Sequence, residues 1–201
     1  MLPLHRLFTD IKRSLEKKER MILAIDGMSA AGKSSFADML AKRYTSCLIR
    51  MDHFFLRPEQ RTPQRLKKPG GNIDYERFLT EISLPLASGK VFSYRPYDCK
   101  TQSLVEPVII EPKPLLIIEG AYSLSPEISG SITYDMTIFM RLDEAEQHLR
   151  LKERNAELYT RFVGEWIPME NLYFETFHIP EKCDYIIENN STVKINGEKN
   201  E

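Results

Sequence analysis

The sequence predicts an α/β fold, a parallel sheet covered on both faces by helices, and three observations carry that expectation. Short continuous apolar runs, MILAID at 21–26 and LLIIE at 115–119, read as strands buried on both faces. Stretches with helical periodicity alternate with them. The first run also passes through a glycine-bearing loop straight into a helical pattern, the strand–loop–helix order of a phosphate-binding unit.

The elements follow in order. Leu4, Leu7, Phe8, Ile11 and Leu15 recur at helical spacing and predict an amphipathic helix whose other face carries Lys12, Arg13, Lys17 and Lys18. Packing on the domain is the plainer reading for it and membrane attachment the weaker, because acidic residues interrupt the basic face. MILAID is the first strand, and Phe36, Met39, Leu40 and Tyr44 mark the helix after the loop. A second strand is expected at Cys47 to Met51, and the Pro-, Arg-, Lys- and Gly-rich stretch from Arg57 to Asn72 reads as an exposed loop. Tyr75, Phe78, Leu79 and Ile82 predict a helix ending near Pro85 to Gly89. Residues 91–98 and 104–110 read as a β-hairpin outside the main sheet. LLIIEG is the third strand and residues 135–140 the fourth. Asp143 with Glu146 resembles a helix start, with a charged helix running to about Thr160. A helix near 168–178 and a strand at 184–188 complete the sheet, and the tail at 191–201 is polar. One domain is expected over residues 1–190, with a lid at about 143–167.

Composition removes several classes. The chain has 201 residues, 42% hydrophobic and 28% charged, with a net charge of −1, so it carries no global basic footprint for nucleic acid. The widely spaced Cys47, Cys99 and Cys183 form no disulfide framework, and the four histidines have no metal-ligand spacing. With no signal-peptide pattern and no apolar run of membrane-spanning length, a cytoplasmic protein is expected, with neither membrane nor nucleic acid as partner. A homo-oligomer stays open.

Gly27-Met28-Ser29-Ala30-Ala31-Gly32-Lys33-Ser34 fits GxxxxGK[ST] at every fixed position. Glycines let the backbone turn tightly and bring its N–H groups to phosphate oxygens, and the following helix start, with Ser35, adds positive potential. Lys33 would reach the β- and γ-phosphates, and the Ser34 hydroxyl would ligate Mg²⁺. A chance match in a chain of this length is on the order of one in a hundred. The guanine signature NKxD is absent, so a GTPase is not expected.

Other residues carry possible chemistry. Asp52 ends the second strand, where ligands of open α/β sheets bind. It could take a proton from an attacking hydroxyl, hold Mg²⁺ through water, or simply cap a turn. Glu119 ends LLIIE in the same way and reads as a Mg²⁺-water ligand or a structural acid. Arg150, Arg154 and Arg161 lie on or near the charged helix, where lid arginines stabilise the charge of a transferring phosphoryl group and solvated faces are the commoner alternative. His53, Phe54 and Tyr97 could shape an acceptor pocket; core packing of the aromatics and a surface imidazole are the alternative. Arg57, Arg61, Arg65, Lys67 and Lys68 make a basic loop, read first as solvated and mobile, then as attracting a phosphorylated acceptor or RNA.

In order, IDGMSAAGKSS, MDHFF, GNIDYERF, RPYDC, IIEGAYS, LKERN and CDYIIE give the chain a pattern that resembles the uridine kinase/phosphoribulokinase-like family of P-loop kinases, from about Met21 to Glu188. The resemblance implies a P-loop NTPase-type parallel sheet of about five strands, a protruding β-hairpin and an arginine-bearing helical lid. It implies transfer of the ATP γ-phosphate, with Mg²⁺, to a hydroxyl of a small molecule, a nucleoside first among the candidates. Asp52 takes the place of the catalytic base, beside Lys33 and the lid arginines Arg154 and Arg161, with Arg150 near the substrate. Asp74 matches the acid that grips ribose hydroxyls in nucleoside kinases, Tyr97 a pocket residue of the hairpin, and Glu119 the acid near the metal. Departures fall in the lid, which is shorter and lacks an RGR-like run, in the longer and more basic loop from Arg57 to Gly71, and in the acceptor pocket. Gln102 stands where uridine-cytidine kinases place a base-contacting histidine, and Cys99 where a phenylalanine is usual. Pantothenate, nicotinamide riboside and sugar phosphates therefore remain as acceptors, and a P-loop regulatory module without kinase activity remains as a different class of function.

Overall fold

The computed structural model describes residues 2–189; the polar tail read at 191–201 lies outside the described residues. Nine strands occur among them: β1 Met21–Gly27, β2 Ser46–Arg50, β3 Phe92–Tyr94, β4 Tyr97–Asp98, β5 Ser103–Leu104, β6 Val108–Ile110, β7 Leu115–Glu119, β8 Met136–Arg141 and β9 Tyr185–Glu188. Four longer helices are α1 Leu2–Lys17, α2 Lys33–Arg43, α3 Glu144–Arg154 and α4 Ile167–Phe177.

The main sheet has the order β2-β7-β1-β8-β9 and every pairing in it is parallel. Side chains alternate across it as the pleat requires. Leu116 and Ile118 of β7 face one core, with Phe54, Phe78, Tyr173 and Phe174. Leu115 and Ile117 face the other, where Leu7 and Ile11 of α1 and Ala37 and Leu40 of α2 are buried. The apolar stripe read on α1 is thus spent on the domain. No helix among the described residues is long and apolar enough to cross a membrane.

Four boundaries differ from the sequence reading. Strand β2 stops at Arg50, and Met51 opens a short 3₁₀ turn, Met51–Phe54, that carries Asp52 out of the sheet. The hairpin is two nested pairs, β3 with β6 and β4 with β5, interrupted at Arg95 and Pro96, where proline supplies no ladder donor. The charged helix α3 ends at Arg154, short of Thr160. Asn155 leaves helical geometry at φ −161° and its side-chain oxygen accepts the Leu158 N–H at 3.1 Å, starting a new turn. The fourth difference is the basic stretch, which is not a free loop. It contains the turns Pro58–Gln60 and Pro63–Leu66. It is pinned by Arg65, which pairs with Glu76 at 2.7 Å, donates to the Gly71 and Ile73 carbonyls, and lies 3.8 Å over the Tyr75 ring.

Candidate active site

The loop between β1 and α2 is a cradle of backbone donors. Ala30 (φ 63°) and Gly32 (φ 89°) are both left-handed, a conformation that curls successive N–H groups toward one point. Gly27 cannot be anything larger, because a Cβ there would lie 2.0 Å from the Met140 carbonyl oxygen. Among the described residues the amides of Ala30, Gly32, Lys33, Ser34 and Ser35 have no protein acceptor. Unspent donors gathered at a helix N-terminus form an anion site. Four of the expected phosphate contacts are placed differently. Gly27 gives its N–H to the Asp26 carboxylate, Met28 gives its own to Met140, Ala31 closes a turn onto Met28 at 3.1 Å, and Ser29 turns away from the cradle. These bonds hold the curl that exposes the other five amides. The Lys33 ammonium reaches back to the Gly27 and Met28 carbonyls at 2.7 and 2.9 Å.

Side chains from the second half of the chain brace the loop. Glu170 of α4 accepts the Ser29 N–H at 2.9 Å and its hydroxyl at 2.5 Å. Gln147 of α3 donates to the Ser29 carbonyl at 3.0 Å, and Asn189 donates to Ala31 at 2.9 Å. Arg150, read as a substrate contact, instead bonds Glu146 and the Asn189 carbonyl, one step behind the loop. Beneath the loop Asp26 is fully buried. Its carboxylate accepts N–H bonds from Gly27, Tyr122 and Leu124 and the Tyr173 hydroxyl at 2.7 Å, tying β1 to the segment after β7 and to α4. Tyr173→Phe removes the shortest donor to a buried charge other than its own neighbour's amide. We expect a loss of about 1–3 kcal/mol, read from the urea midpoint.

Burial pushes the Asp26 and Glu170 carboxyls up, against the opposing pull of their hydrogen bonds and of Lys33. A carboxyl raised in the folded protein takes up its proton there before it does so in the unfolded chain. The wild type should therefore gain stability relative to Glu170→Gln as pH falls from neutral toward 4.5, and lose it as pH rises. Equal pH slopes for the two proteins in chemical unfolding would refute this.

An acid pair flanks the cradle. Glu119 ends β7, buried, with Ser34 donating to one oxygen at 3.3 Å and Arg50 to the other at 2.8 Å. Arg50, its register neighbour in β2, also bonds Asp38 at 2.6 Å. Burial, then the charge of Asp52, pushes the Glu119 carboxyl up, and Arg50 and Lys33 pull it back. A hydroxyl and two carboxylates are hard oxygen donors that suit Mg²⁺, and a dication would relieve the repulsion between the acids. Among the described residues no group of three or more His, Cys, Asp or Glu could hold a metal alone, so such a site would be completed by phosphate oxygens and water.

Asp52, the other acid, is exposed in the turn just past β2, whose last residue, Arg50, is in register with Glu119. His53 is half-buried, its Nδ1 2.9 Å from the Tyr94 hydroxyl, and burial lowers its pKa against the opposing effect of Asp52. Phe54 is a correction. It is fully buried between Tyr94 and Phe78, so it supports the pocket from the core and does not line it. Asp74 is 1% exposed; one oxygen caps the helix turn through the Arg77 N–H and the other accepts Gln60 at 2.9 Å. Tyr97 is buried in β4 with its hydroxyl 3.3 Å from Arg61. Gln102 is exposed in the turn between β4 and β5, at φ 54°. The lid arginines are not gathered here. Arg161 pairs with Glu165 at 3.0 Å and stacks on Trp166, and Arg154 lies over Phe162.

Sequence reasoning missed Asp26, Arg50, Gln147, Glu170 and Asn189. Asp26 and Arg50 adjoin recognised motifs. The other three come to the loop only through tertiary folding.

No family model matches the chain, and no curated protein matches it in sequence. Solved structures do match over most of its length. A putative fructose transport system kinase from Silicibacter sp. TM1040 is 20% identical, with a TM-score of 0.69 over 87% of this chain and 95% of that one. A possible uridine kinase from Bacillus stearothermophilus is 17% identical, with a TM-score of 0.64 over 88% and 98%. A D-glycerate 3-kinase from Cryptococcus neoformans var. grubii is 15% identical, with a TM-score of 0.59 over 96% and 97%. Identities this low speak for architecture alone, and the architecture of this chain is the P-loop kinase fold.

Proposed function

We propose that the protein is an ATP-dependent kinase that moves the γ-phosphate to a hydroxyl of a small molecule. The observation that carries this reading is the set of unspent amides at Ala30, Gly32, Lys33, Ser34 and Ser35, set beside a bonded Ser34–Glu119 pair and an exposed Asp52. Those amides and Lys33 would hold the phosphates. The acceptor hydroxyl would attack the γ-phosphorus in line while Asp52 takes its proton. The bond from the γ-phosphorus to the bridging oxygen breaks and ADP departs. When bound, Mg²⁺ would neutralise phosphate charge; Ser34 and Glu119 are the residues that would hold it, with Asp52 reaching it only through water. The exposed Asp52 leaves the proton acceptor open to an incoming substrate. Arg154 and Arg161 would have to leave their present partners to reach the transferring group.

The possible uridine kinase among the fold relatives makes a nucleoside the first acceptor to try, with a sugar and a small acid next. The test is incubation with Mg-ATP and uridine, cytidine, nicotinamide riboside, pantothenate, glycerate, hexoses and sugar phosphates, following ADP and product by mass spectrometry. ADP release that requires one of these acceptors is the expected result. Tight nucleotide binding with no product from any of them would favour a regulatory P-loop module instead.

A further inference from the structure

Arg61 is an exposed cation beside Tyr97 that makes no ion pair among the described residues. Arg61 donates Nε to the Leu56 carbonyl at 2.9 Å and Nη2 to the Tyr97 hydroxyl at 3.3 Å. Both acceptors are neutral. Among the described residues no carboxylate lies within ion-pair distance of Arg61, and its Nη1 has no partner. Three arginines around it are compensated. Arg57 has Glu59 at 3.4 Å and Asp74 at 3.9 Å, Arg65 has Glu76, and Arg77 has Glu81 at 2.8 Å. The Arg95 guanidinium likewise donates only to carbonyls, those of Val105 and Leu104, so what sets Arg61 apart is its bond to the Tyr97 hydroxyl.

Its position ties it to the turn that carries Asp52. Tyr97, to which Arg61 donates, lies in β4, and β4 packs against the Met51–Phe54 turn. Two neutral bonds fix the guanidinium and leave its Nη1 edge unspent, the planar fork that fits carboxylate or phosphate oxygens. The group expected to grip vicinal hydroxyls is engaged elsewhere. Both Asp74 oxygens are bonded and the residue is buried, so a nucleoside would find that carboxylate under Gln60 and Arg57.

We propose that the acceptor is an anion, a small molecule that carries a carboxylate or phosphate held by Arg61 next to Tyr97, with its reacting hydroxyl presented to Asp52. This rests on the kinase reading and narrows its substrate class. Arg61 is the residue that separates charged from neutral acceptors.

The experiment uses matched pairs: glycerate against glycerol, pantothenate against its alcohol, a hexose monophosphate against the free hexose, and uridine monophosphate against uridine. kcat and KM are measured with Mg-ATP for the wild type, Arg61→Gln and Arg61→Lys. Binding of the same compounds without nucleotide is measured by calorimetry. The anionic member of at least one pair should be favoured about 10²-fold in kcat/KM, the usual worth of a charge-assisted fork. Carboxylate and phosphate pairs tell the two sources apart. Arg61→Gln should remove the preference mainly through KM, and Arg61→Lys should restore part of it, which a purely structural role for Arg61 would not do. A neutral member used as well as its charged partner, or a preference that survives in Arg61→Gln, overturns the proposal while leaving the kinase standing. Arg61-dependent binding of an anion with no phosphorylated product keeps the anion site and removes the kinase reading. No anion binding above that of the neutral partner, with no product, overturns both.

Discussion

Asp52→Asn is expected to lower phosphoryl transfer by about 10²–10⁴-fold while leaving nucleotide affinity close to the wild type. The amide keeps the shape of the side chain but cannot accept the proton of an attacking hydroxyl at neutral pH. The residue lies in the turn just past β2, exposed, and supplies none of the cradle amides, so the phosphates should be held as before. Single-turnover transfer with a working acceptor gives the rate, and titration with a fluorescent ATP analogue gives the affinity. Full transfer by the variant would remove Asp52 as the base. A parallel collapse of both quantities would make it chiefly a metal or nucleotide residue.

Lys33→Ala should cost more and cost it differently. Its ammonium links the Gly27 and Met28 carbonyls, and its charge draws the buried Asp26 and Glu170 carboxyls down. Without it the transferring phosphates lose a cation and the loop loses an internal tie. We expect kcat/KM to fall by about 10³-fold or more, with weaker nucleotide binding alongside. Lys33→Arg should rescue little, because a planar fork does not replace a compact ammonium bonded to two adjacent carbonyls. Near-normal kcat/KM in the alanine variant would contradict the assigned role.

The sheet was legible because buried parallel strands carry their own signal: β1 and β7 carry the unbroken apolar runs MILAI and LLII, each closed by an acid and a glycine where the chain leaves the sheet. The phosphate loop was legible as a motif, but not in its division of labour. Nothing in GMSAAGKS says that the Ser29 amide serves Glu170 and the Gly32 amide serves the cradle, since that depends on a helix many residues later. The basic stretch looked mobile by composition. What composition hides is that Arg65 can bury its guanidinium edge against two carbonyls, Glu76 and an aromatic face at once. The early end of α3 was missed for a similar reason. Asn155 reads as an ordinary polar position in a charged run, and only the following turn shows it acting as a cap. Phe54 was misplaced because an aromatic two residues from an acid at a strand end looks the same in sequence whether its ring faces solvent or the core.

The braces of the phosphate loop also carry a timetable. Gln147, Asn189 and Glu170 reach back across 118, 158 and 141 residues of sequence to bond Ser29 and Ala31. Local strand–loop–helix structure can form early, but contacts so distant along the chain close late in folding. During synthesis, which proceeds from the N-terminus, the motif that defines the protein emerges first and is fastened last. If the cradle takes a nucleotide as proposed, its capture would in that sense be an inspection of the finished molecule. A chain stopped ahead of Gln147 would display the whole consensus sequence and still lack all three fastenings that hold it in shape.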